Sequence, residues 1–318
     1  MTSRLELVTT VITQLRSEFT LTGGGPLHWV LQMRVTTTPT SITLDQEGFT
    51  LKVLERFGME NCAPVSTPSA VGVDLGMQTR PKTEHERKQM QNVPYKEAVG
   101  ALIYLSVTTR FDIAYAVSIV ARHLSDPGWG HWLAVKRILR YLKGTTKMGL
   151  CFQRSTESVQ PPGLVVYVDA DYAEDKESRR SRTGYVVQYA GGTVSCSSSL
   201  QRTVSLSTAE AEYMAAAACA QEVVWFRSLL EEIGYPQTVP TVIFEDNQSC
   251  IAMSLKTGCP SRCKHIDIRH HWLQEKVERK ELLLRWLASK DMVADIMTKP
   301  LARDRFIYLR TRLLGATE

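Results

Sequence analysis

The stretch from Ser205 to Ala220 reads S-L-S-T-A-E-A-E-Y-M-A-A-A-A-C-A and predicts the start of a long helix. Ser207 and Glu210 have the spacing of a capping box, in which the serine hydroxyl accepts from the Glu210 amide and the Glu210 carboxylate reaches back to the Ser207 amide. Glu212 lies about 200° around the helix from Glu210, so it takes no part in that cap. A lone acid in the first turns of a helix is commonly a solvated residue favoured by the helix dipole. Glu212 therefore suggests chemistry only if other acids join it.

The residues on both sides of this stretch predict an α/β domain with a mixed sheet. Short apolar runs bounded by turn residues predict strands over residues 164–169, 183–189, 193–197, 239–245 and 281–287. The long helix follows the third strand, and further helices are predicted over residues 247–255, 267–278 and 291–297, with a helical tail to 314. We describe this order as βββαβαβα.

Four acids lie at the ends of these predicted elements: Asp169, Glu212, Asp246 and Asp295. Carboxylates at the carboxyl ends of neighbouring strands converge on one crevice of an open α/β sheet, where they repel one another unless a cation is bound. Hard oxygen ligands suit Mg²⁺ or Mn²⁺, and two such ions about 4 Å apart bind the attacking water and the leaving oxygen of a phosphodiester. Individually, the aspartates have plainer interpretations as turn residues, a helix cap at Asp246 and a surface acid at Asp295. The hypothesis rests on the set.

The first half of the chain predicts mostly helices. Helices are expected over residues 5–19, 46–58, 95–108, 112–124 and 129–145, with strands over 28–36 and 41–44. Residues 61–92 have almost no periodic apolar pattern and predict an extended connector. The helix over 129–145 begins a basic face formed by Lys136, Arg140, Lys143 and Lys147. This face could contact the nucleic-acid backbone or could simply be solvated, and the sequence leaves both interpretations open.

Composition is that of a globular protein of two domains, with 318 residues, 43% of them hydrophobic and 22% charged. Residues 1–150 hold 17 basic against 12 acidic residues and the remainder holds 21 of each, so the excess charge of +5 favours an anionic partner for the first half. The seven cysteines have no disulfide-like spacing and indicate a reducing compartment. Since no apolar run approaches the length of a membrane span and the N-terminus lacks a secretory signal, we expect an intracellular protein without a membrane partner.

Five motifs, in this order, resemble the ribonuclease H domain of copia-type LTR-retrotransposon polyproteins: V-D-A-D-Y-A, S-T-A-E-A-E-Y, E-D-N-Q-S, K-H-I-D-I-R-H-H and A-D-I-M-T-K-P-L. The upstream half is similar to the end of the same polyprotein's reverse transcriptase, in L-H-W-V-L-Q-M-R-V, Y-K-E-A-V-G-A-L-I-Y-L, T-R-F-D-I-A-Y-A-V and K-R-I-L-R-Y-L-K-G-T, with Phe111 where the family commonly has Pro.

The resemblance covers nearly the whole chain and implies a ribonuclease H-like five-stranded mixed sheet over residues 160–318, preceded over residues 1–155 by a smaller, mostly helical thumb or connection remnant. It implies that Asp169, Glu212, Asp246 and Asp295 match the family's metal-binding carboxylates and hold two Mg²⁺ or Mn²⁺ ions. The implied partners are an RNA:DNA hybrid and the missing polymerase part of the polyprotein. The implied locations are a cytoplasmic retroelement particle and the nucleus.

Three other interpretations bear on these residues. Ala170 separates Asp169 from Asp171, so the adjacent acids of a polymerase signature are missing and we expect no DNA synthesis by this chain. The residues Cys259, Cys263, His265 and His270 could be considered as zinc ligands, but their spacing matches no common zinc module. We therefore do not expect a zinc site there. Phosphate contact and solvation are equally open for a basic cluster beside the predicted helix at 267–278, formed by Lys264, Arg269, His270 and His271.

The alternative function is that of a non-catalytic, nucleic-acid-binding or inert remnant of a decayed element.

Overall fold

A computed structural model of the chain describes residues 4–20, 27–76, 79–153, 163–255 and 267–315, in which two β-sheets are joined by eleven α-helices. The strands are β1 (Trp29–Val30), β2 (Met33–Thr37), β3 (Ser41–Asp45), β4 (Gly149–Gln153), β5 (Val165–Asp171), β6 (Arg182–Tyr189), β7 (Gly192–Leu200), β8 (Thr241–Glu245) and β9 (Leu282–Trp286). The helices are α1 (Arg4–Glu18), α2 (Glu47–Arg56), α3 (Glu84–Gln91), α4 (Tyr95–Ser106), α5 (Ala114–Ala121), α6 (Trp129–Lys143), α7 (Thr208–Glu232), α8 (Gln248–Leu255), α9 (Asp267–Glu278), α10 (Asp295–Thr298) and α11 (Arg303–Leu314).

The second half of the chain contains the predicted mixed five-stranded sheet, in the order β7-β6-β5-β8-β9. β5, β6 and β7 are antiparallel neighbours, as expected of strands joined by short turns, whereas β5, β8 and β9 run parallel. Tyr167 on β5 pairs with Phe244 on β8. Because that register is parallel, the residues two positions further along each strand, Asp169 and Asp246, come to the same end of the sheet.

Both faces of this sheet are covered, and each cover has its own core. On one face β5 and β8 contribute Val166, Val168 and Ile243 to a core with α7, α8 and α9. On the other face Tyr167 and Val186 pack into a core that contains α10 and α11 together with α4, α5 and α6 of the first half. The helices of the first half are therefore part of the second sheet's packing. The boundary between residues 1–155 and 160–318 stays a prediction.

Gly184 on β6 explains how α10 reaches the sheet so closely. A Cβ atom at this position would lie 2.5 Å from Cγ2 of Thr298 and 2.9 Å from Cβ of Met297. Real Cβ atoms do not approach other heavy atoms at such distances, so only glycine allows α10 to lie directly on β6. This contact brings α10 beside the end of β5.

The first half also contains a four-stranded antiparallel sheet, in the order β1-β2-β3-β4, which the sequence predicted incompletely. The predicted single strand over residues 28–36 is wrong, because Leu31 and Gln32 have φ values of 47° and 63° and turn the chain into a tight hairpin. β4 was not predicted at all. It pairs with β3, more than 100 residues earlier in the chain, so its formation depends on a contact between distant residues.

The predicted connector over residues 61–92 is wrong at its end, where α3 forms. Thr83 caps this helix by accepting from the Glu86 amide at 3.2 Å, and the Glu86 carboxylate accepts from the Thr83 amide at 3.0 Å. This is a complete capping box, and its T-x-x-E spacing was readable in the sequence. The earlier part of the connector is held against α6, since Arg140 Nε donates to the Ala63 carbonyl at 2.7 Å.

The remaining predicted elements are confirmed with ends that differ by a few residues, except that the helix predicted over 291–297 is a 3-10 helix at Ser289–Asp291 followed by α10. The helix predicted over 112–124 begins as a short 3-10 helix, Phe111–Ile113, which continues into α5. Phe111 itself is buried in the core shared by the two halves. Among the described helices, none combines the length and the apolar character that crossing a bilayer requires.

Two stacked histidines join α5, α6 and the connector. The rings of His123 and His131 are 3.9 Å apart and nearly parallel, and both side chains are buried. Nδ1 of His131 accepts from the Gly128 amide at 2.8 Å, which leaves the proton on Nε2, 3.0 Å from the Leu75 carbonyl. Burial, followed by the charges of His131 and Arg122, lowers the pKa of His123 to about 4. Burial also lowers the pKa of His131.

We expect this pair to make the fold sensitive to acid. An unfolded histidine binds a proton below pH ~6.5, whereas folded His123 does so only near pH 4, so stability falls as the pH falls through that window. Between pH 7 and pH 5 the loss for His123 is about 2 kcal/mol. The measurement is the free energy of unfolding in urea, compared with His123→Phe because buried carboxylates titrate in the same window. An equal pH dependence of wild type and variant would contradict the prediction.

Candidate active site

Three carboxylates from three different elements meet at the end of the five-stranded sheet. Asp169 lies on β5, Glu212 on α7 and Asp246 directly after β8, and one oxygen of each lies within 4.8 Å of the others. Asp169 and Glu212 are buried, and Asp246 is half-buried. We call these three residues the acidic trio. The structure thus brings together three of the four acids that the sequence singled out.

The cap of α7 sets the position of Glu212. Ser207 accepts from the Glu210 amide at 3.2 Å, and the Glu210 carboxylate accepts from the Leu206 amide at 2.8 Å, one residue before the predicted partner. Glu210 is therefore a cap, as predicted, and Glu212 faces inward one half-turn later. The buried face of α7 is built largely of alanine, including Ala211 and Ala215, so the helix packs closely on β5 and β6.

The trio carries more negative charge than its surroundings compensate. Burial raises the pKa of Asp169 to about 7, while the Lys299 ammonium, 3.7 Å from Oδ2, opposes the shift. Burial, and then the charges of Glu245 and Asp169, raise the pKa of Glu212 to about 10. Such shifts mark carboxylates that are difficult to keep ionised unless a further positive charge is present.

A buried oxygen without a hydrogen-bond partner makes the acidic trio a candidate cation site. Among the described residues, no hydrogen-bond donor reaches Oε2 of Glu212, although the atom is buried. Buried polar atoms without a partner are few among the described residues, because each costs free energy. A hard divalent cation such as Mg²⁺ or Mn²⁺ takes oxygen ligands of this kind. The acidic trio would hold it.

Asp295, the fourth predicted acid, lies beside the trio but is already paired. Its carboxylate forms ion pairs with Lys299 at 2.8 Å and with Arg305. From the same helix, the Thr298 hydroxyl donates to Oδ2 of Asp169. Thr298 at the end of α10 and Lys299 directly after it thus link Asp295 to Asp169. The role of Asp295 as a direct metal ligand stays a prediction.

Three residues of the site were missed at the level of sequence. Glu245 is fully buried next to Asp246, its Oε1 accepts from the Asn247 amide at 3.0 Å, and its Oε2 has no hydrogen-bond partner among the described residues. Burial, despite the Asn247 amide, raises the pKa of Glu245 to about 8. Thr298 and Lys299 lie in the quoted motif A-D-I-M-T-K-P-L, but only the packing of α10 on β6 shows that they reach Asp169.

The predicted substrate-binding cluster is mostly outside the described residues. Lys264 lies there, as do Cys259, Cys263 and His265 of the zinc alternative. Arg269 and His270 belong to α9, but their side chains are also outside the description. The one member that is described, His271, is exposed on α9. These assignments stay predictions.

The basic face of α6 is partly engaged by the protein itself. Lys136 Nζ lies 5.8 Å and 5.6 Å from the ring centres of Trp129 and Trp132, and Arg140 binds the connector at Ala63. Lys143 is half-buried, and Lys147 is exposed beyond the end of the helix. Lys143 and Lys147 are therefore the members of this face best placed for an external partner.

The strand order, the helix positions and the acidic trio together define a ribonuclease H-like α/β domain. Proteins of similar sequence identify the family of the chain more closely than the fold does. It is 42% identical over 294 residues to the retrovirus-related Pol polyprotein from transposon TNT 1-94 of Nicotiana tabacum, covering 92% of this chain and 22% of that protein. It is 34% identical over 300 residues to the corresponding polyprotein from transposon RE1 of Arabidopsis thaliana, covering 94% and 20%.

A shorter relative aligns over most of its own length. An uncharacterized mitochondrial protein of Arabidopsis thaliana is 34% identical over 219 residues, which cover 69% of this chain and 86% of that protein. The chain belongs to the family of copia-type retrotransposon Pol polyproteins, and it spans about a fifth of the length of the transposon polyproteins it matches.

Comparisons with family models and solved structures add little. No protein-family model matches the chain. Among solved structures, LC11 RNase H1 isolated from compost is similar at a TM-score of 0.34 and 15% identity, covering 43% of this chain and 92% of that one.

Proposed function

We propose that this chain hydrolyses the RNA strand of an RNA:DNA hybrid, as part of a retrotransposon reverse transcriptase. The observation that carries the proposal is the acidic trio, in which a buried carboxylate oxygen of Glu212 lacks a hydrogen-bond partner among the described residues. The membership of the chain in a Pol polyprotein family supports the choice of substrate. The proposal includes no DNA synthesis.

The residues of the site have distinct tasks in this proposal. Asp169, Glu212 and Asp246 would hold two divalent cations, which would supply an activated water and stabilise the leaving 3′ oxygen of the phosphodiester. Thr298 and Lys299 hold the Asp169 carboxylate in place from α10. We retain Asp295 as the fourth acid, whose direct ligation of a cation requires the displacement of Lys299 or Arg305. No Ser, Cys or His nucleophile is needed.

Cleavage of a labelled RNA:DNA hybrid by the purified chain tests this function directly. We expect shortened RNA with Mg²⁺ or Mn²⁺, intact RNA in the presence of a chelator, and an intact DNA strand in both. The alternative, a non-catalytic remnant, predicts hybrid binding or no interaction, and intact RNA under every condition. Intact RNA with a folded protein and saturating Mg²⁺ would overturn the proposal.

The two glutamates of α7 should respond oppositely to the same substitution. Glu212→Gln should remove most of the cleavage rate, because a neutral amide no longer offers a charged ligand. Glu210→Gln should be tolerated, because glutamine still accepts at the helix cap. Cleavage rates of the two variants under saturating Mg²⁺ provide the measurement. If Glu210→Gln is the more damaging change, the roles of cap and ligand are reversed.

Substrate contacts are proposed on two surfaces. The first is the start of α9, with Lys264, Arg269, His270 and His271. The second is the basic face of α6, with Lys136, Arg140, Lys143 and Lys147, of which the last two are the freest. We further propose that the missing polymerase part is the protein partner, and that the chain acts in a cytoplasmic retroelement particle and in the nucleus.

Replacing the four basic residues of the α6 face with Gln should weaken hybrid binding and flatten its salt dependence. Each lost phosphate contact reduces the slope of log affinity against log salt by about 1. Because Lys136 and Arg140 are engaged within the protein, we expect a total reduction of about 2. Fluorescence anisotropy with labelled hybrid measures both quantities.

A matched control carries the same change of net charge on exposed residues of α2, α3 and the preceding turn. It should keep the wild-type slope, and its four substitutions to Gln are at Lys52, Lys82, Arg87 and Lys88. Equal slopes in the two quadruple variants would show that the α6 face is merely solvated.

A further inference from the structure

A cavity of about 520 Å³ lies between α5, α6 and the connector, with Pro300 of the second half also on its wall. Most of its wall is hydrocarbon, contributed by Met59, Val73, Ile119, Leu133 and Ile138. Its volume is within the range of about 300–1,000 Å³ that small-molecule sites occupy. The acidic trio does not line this cavity, so it is a separate feature of the molecule.

Three cationic side chains of α6 border the cavity: Lys136, Arg137 and Arg140. Lys136 is directed over two tryptophan rings, and Arg140 binds a backbone carbonyl. Both groups thus have neutral partners. The cavity wall therefore carries positive charge that these contacts do not neutralise.

Arg137 is the least compensated of the three. Its Nη2 donates to the Thr67 hydroxyl at 2.9 Å, but its Nε is buried and has no hydrogen-bond partner among the described residues. Of the described residues that line the cavity, Asp74 alone is acidic, and it pairs with Lys176 at 2.9 Å. Burial, with Arg140 nearby, lowers the pKa of Arg137. The Arg137 side chain is half-buried and forms no ion pair among the described residues, so an anion bound in the cavity would supply the missing counter-charge.

We propose that this cavity binds a small amphipathic anion, an apolar body that carries one carboxylate or sulfonate group. The hydrocarbon walls contact the apolar body, and Arg137 donates to the anionic group. Because most of the wall is hydrocarbon, the cavity suits an apolar body better than a nucleotide, which needs partners for a sugar, a base and several phosphate oxygens. The site is independent of the proposed hydrolysis.

Two fluorescent probes that share an aromatic body separate the two parts of the proposal. Anilinonaphthalene sulfonate carries the anionic group, and phenylnaphthylamine lacks it. In the full-length protein we expect saturable binding of both, with the sulfonate bound about tenfold more tightly because it forms a charge-assisted hydrogen bond. In Arg137→Gln this preference should disappear while the affinity for phenylnaphthylamine is kept. Arg87→Gln, on exposed α3, should behave as wild type.

Each other outcome overturns the proposal. Equal affinity of the wild type for the two probes would show that the cavity does not recognise the anionic group. A preference for the sulfonate that survives in folded Arg137→Gln would show that Arg137 does not bind it. A lack of saturable binding of both probes would show that the cavity is not a binding site for such molecules. If circular dichroism shows that Arg137→Gln is unfolded, Ala134→Leu takes its place, since Ala134 lines the cavity and the larger side chain fills it. That variant should weaken binding of both probes at least tenfold, and unchanged affinities would place the probes elsewhere.

Discussion

Asp169→Asn is expected to lower the rate of hybrid cleavage about a thousandfold or more while leaving the fold intact. Asparagine keeps the volume of the side chain and still accepts from the Thr298 hydroxyl, but it lacks the charge that holds a cation. Charge stabilisation by a bound metal ion contributes several kcal/mol to a transition state, and each 1.4 kcal/mol changes the rate tenfold. The measurement is the single-turnover cleavage rate at saturating hybrid and Mg²⁺. Wild-type activity in Asp169→Asn would discard the metal mechanism.

A second readout does not depend on activity. Asp169 is buried beside two other carboxylates, so removal of its charge relieves repulsion in the metal-free protein. We expect the variant to melt in the presence of a chelator at the wild-type temperature or above it. Since a cation that binds only the folded state raises its stability, Mg²⁺ should raise the melting temperature of wild type more than that of the variant. An equal rise in both proteins would show that Asp169 does not hold the cation.

The parts of the site that the sequence predicted depend on local signals. Asp169 and Asp246 come at the ends of short apolar runs whose length and flanking turn residues predict strands, and parallel neighbours bring such strand ends together. Glu212 was separated from Glu210 by the helical period alone, because side chains two residues apart on a helix face different ways. The set of acids suggested metal-assisted phosphodiester hydrolysis, and the family resemblance then supplied the substrate, an RNA:DNA hybrid.

The parts that were missed depend on contacts between distant residues. The ion pairs of Asp295 come from α10 and α11, whose positions follow from the packing of α10 against Gly184. β4 forms only because β3 lies beside it. The hairpin at Leu31 and Gln32 has no glycine or asparagine to announce it, and the tertiary structure holds these residues at positive φ.

Residues 160–318 were predicted as a domain of their own, but the shared core leads us to expect that this segment alone does not fold stably. The buried side chains of α10 and α11, including Met297, Phe306 and Leu309, lie in one core with Leu102 and Leu139 of the first half. A fragment that begins at residue 160 would expose all of that surface. We expect a non-cooperative thermal transition by circular dichroism and no hybrid cleavage, whereas the full chain should unfold cooperatively.

A variant of the full chain tests the same dependence without truncation. Leu139 is fully buried on α6, in the half of the chain that lacks the acidic trio. Leu139→Ala should lower the free energy of unfolding by roughly 2–5 kcal/mol, and the temperature at which hybrid cleavage is lost should fall with the melting temperature. Exposed Leu51→Ala on α2 is the matched control and should change neither temperature by more than a few degrees. If Leu139→Ala melts in two steps and cleaves hybrid up to the wild-type temperature, α10 holds its place beside Asp169 without the first half.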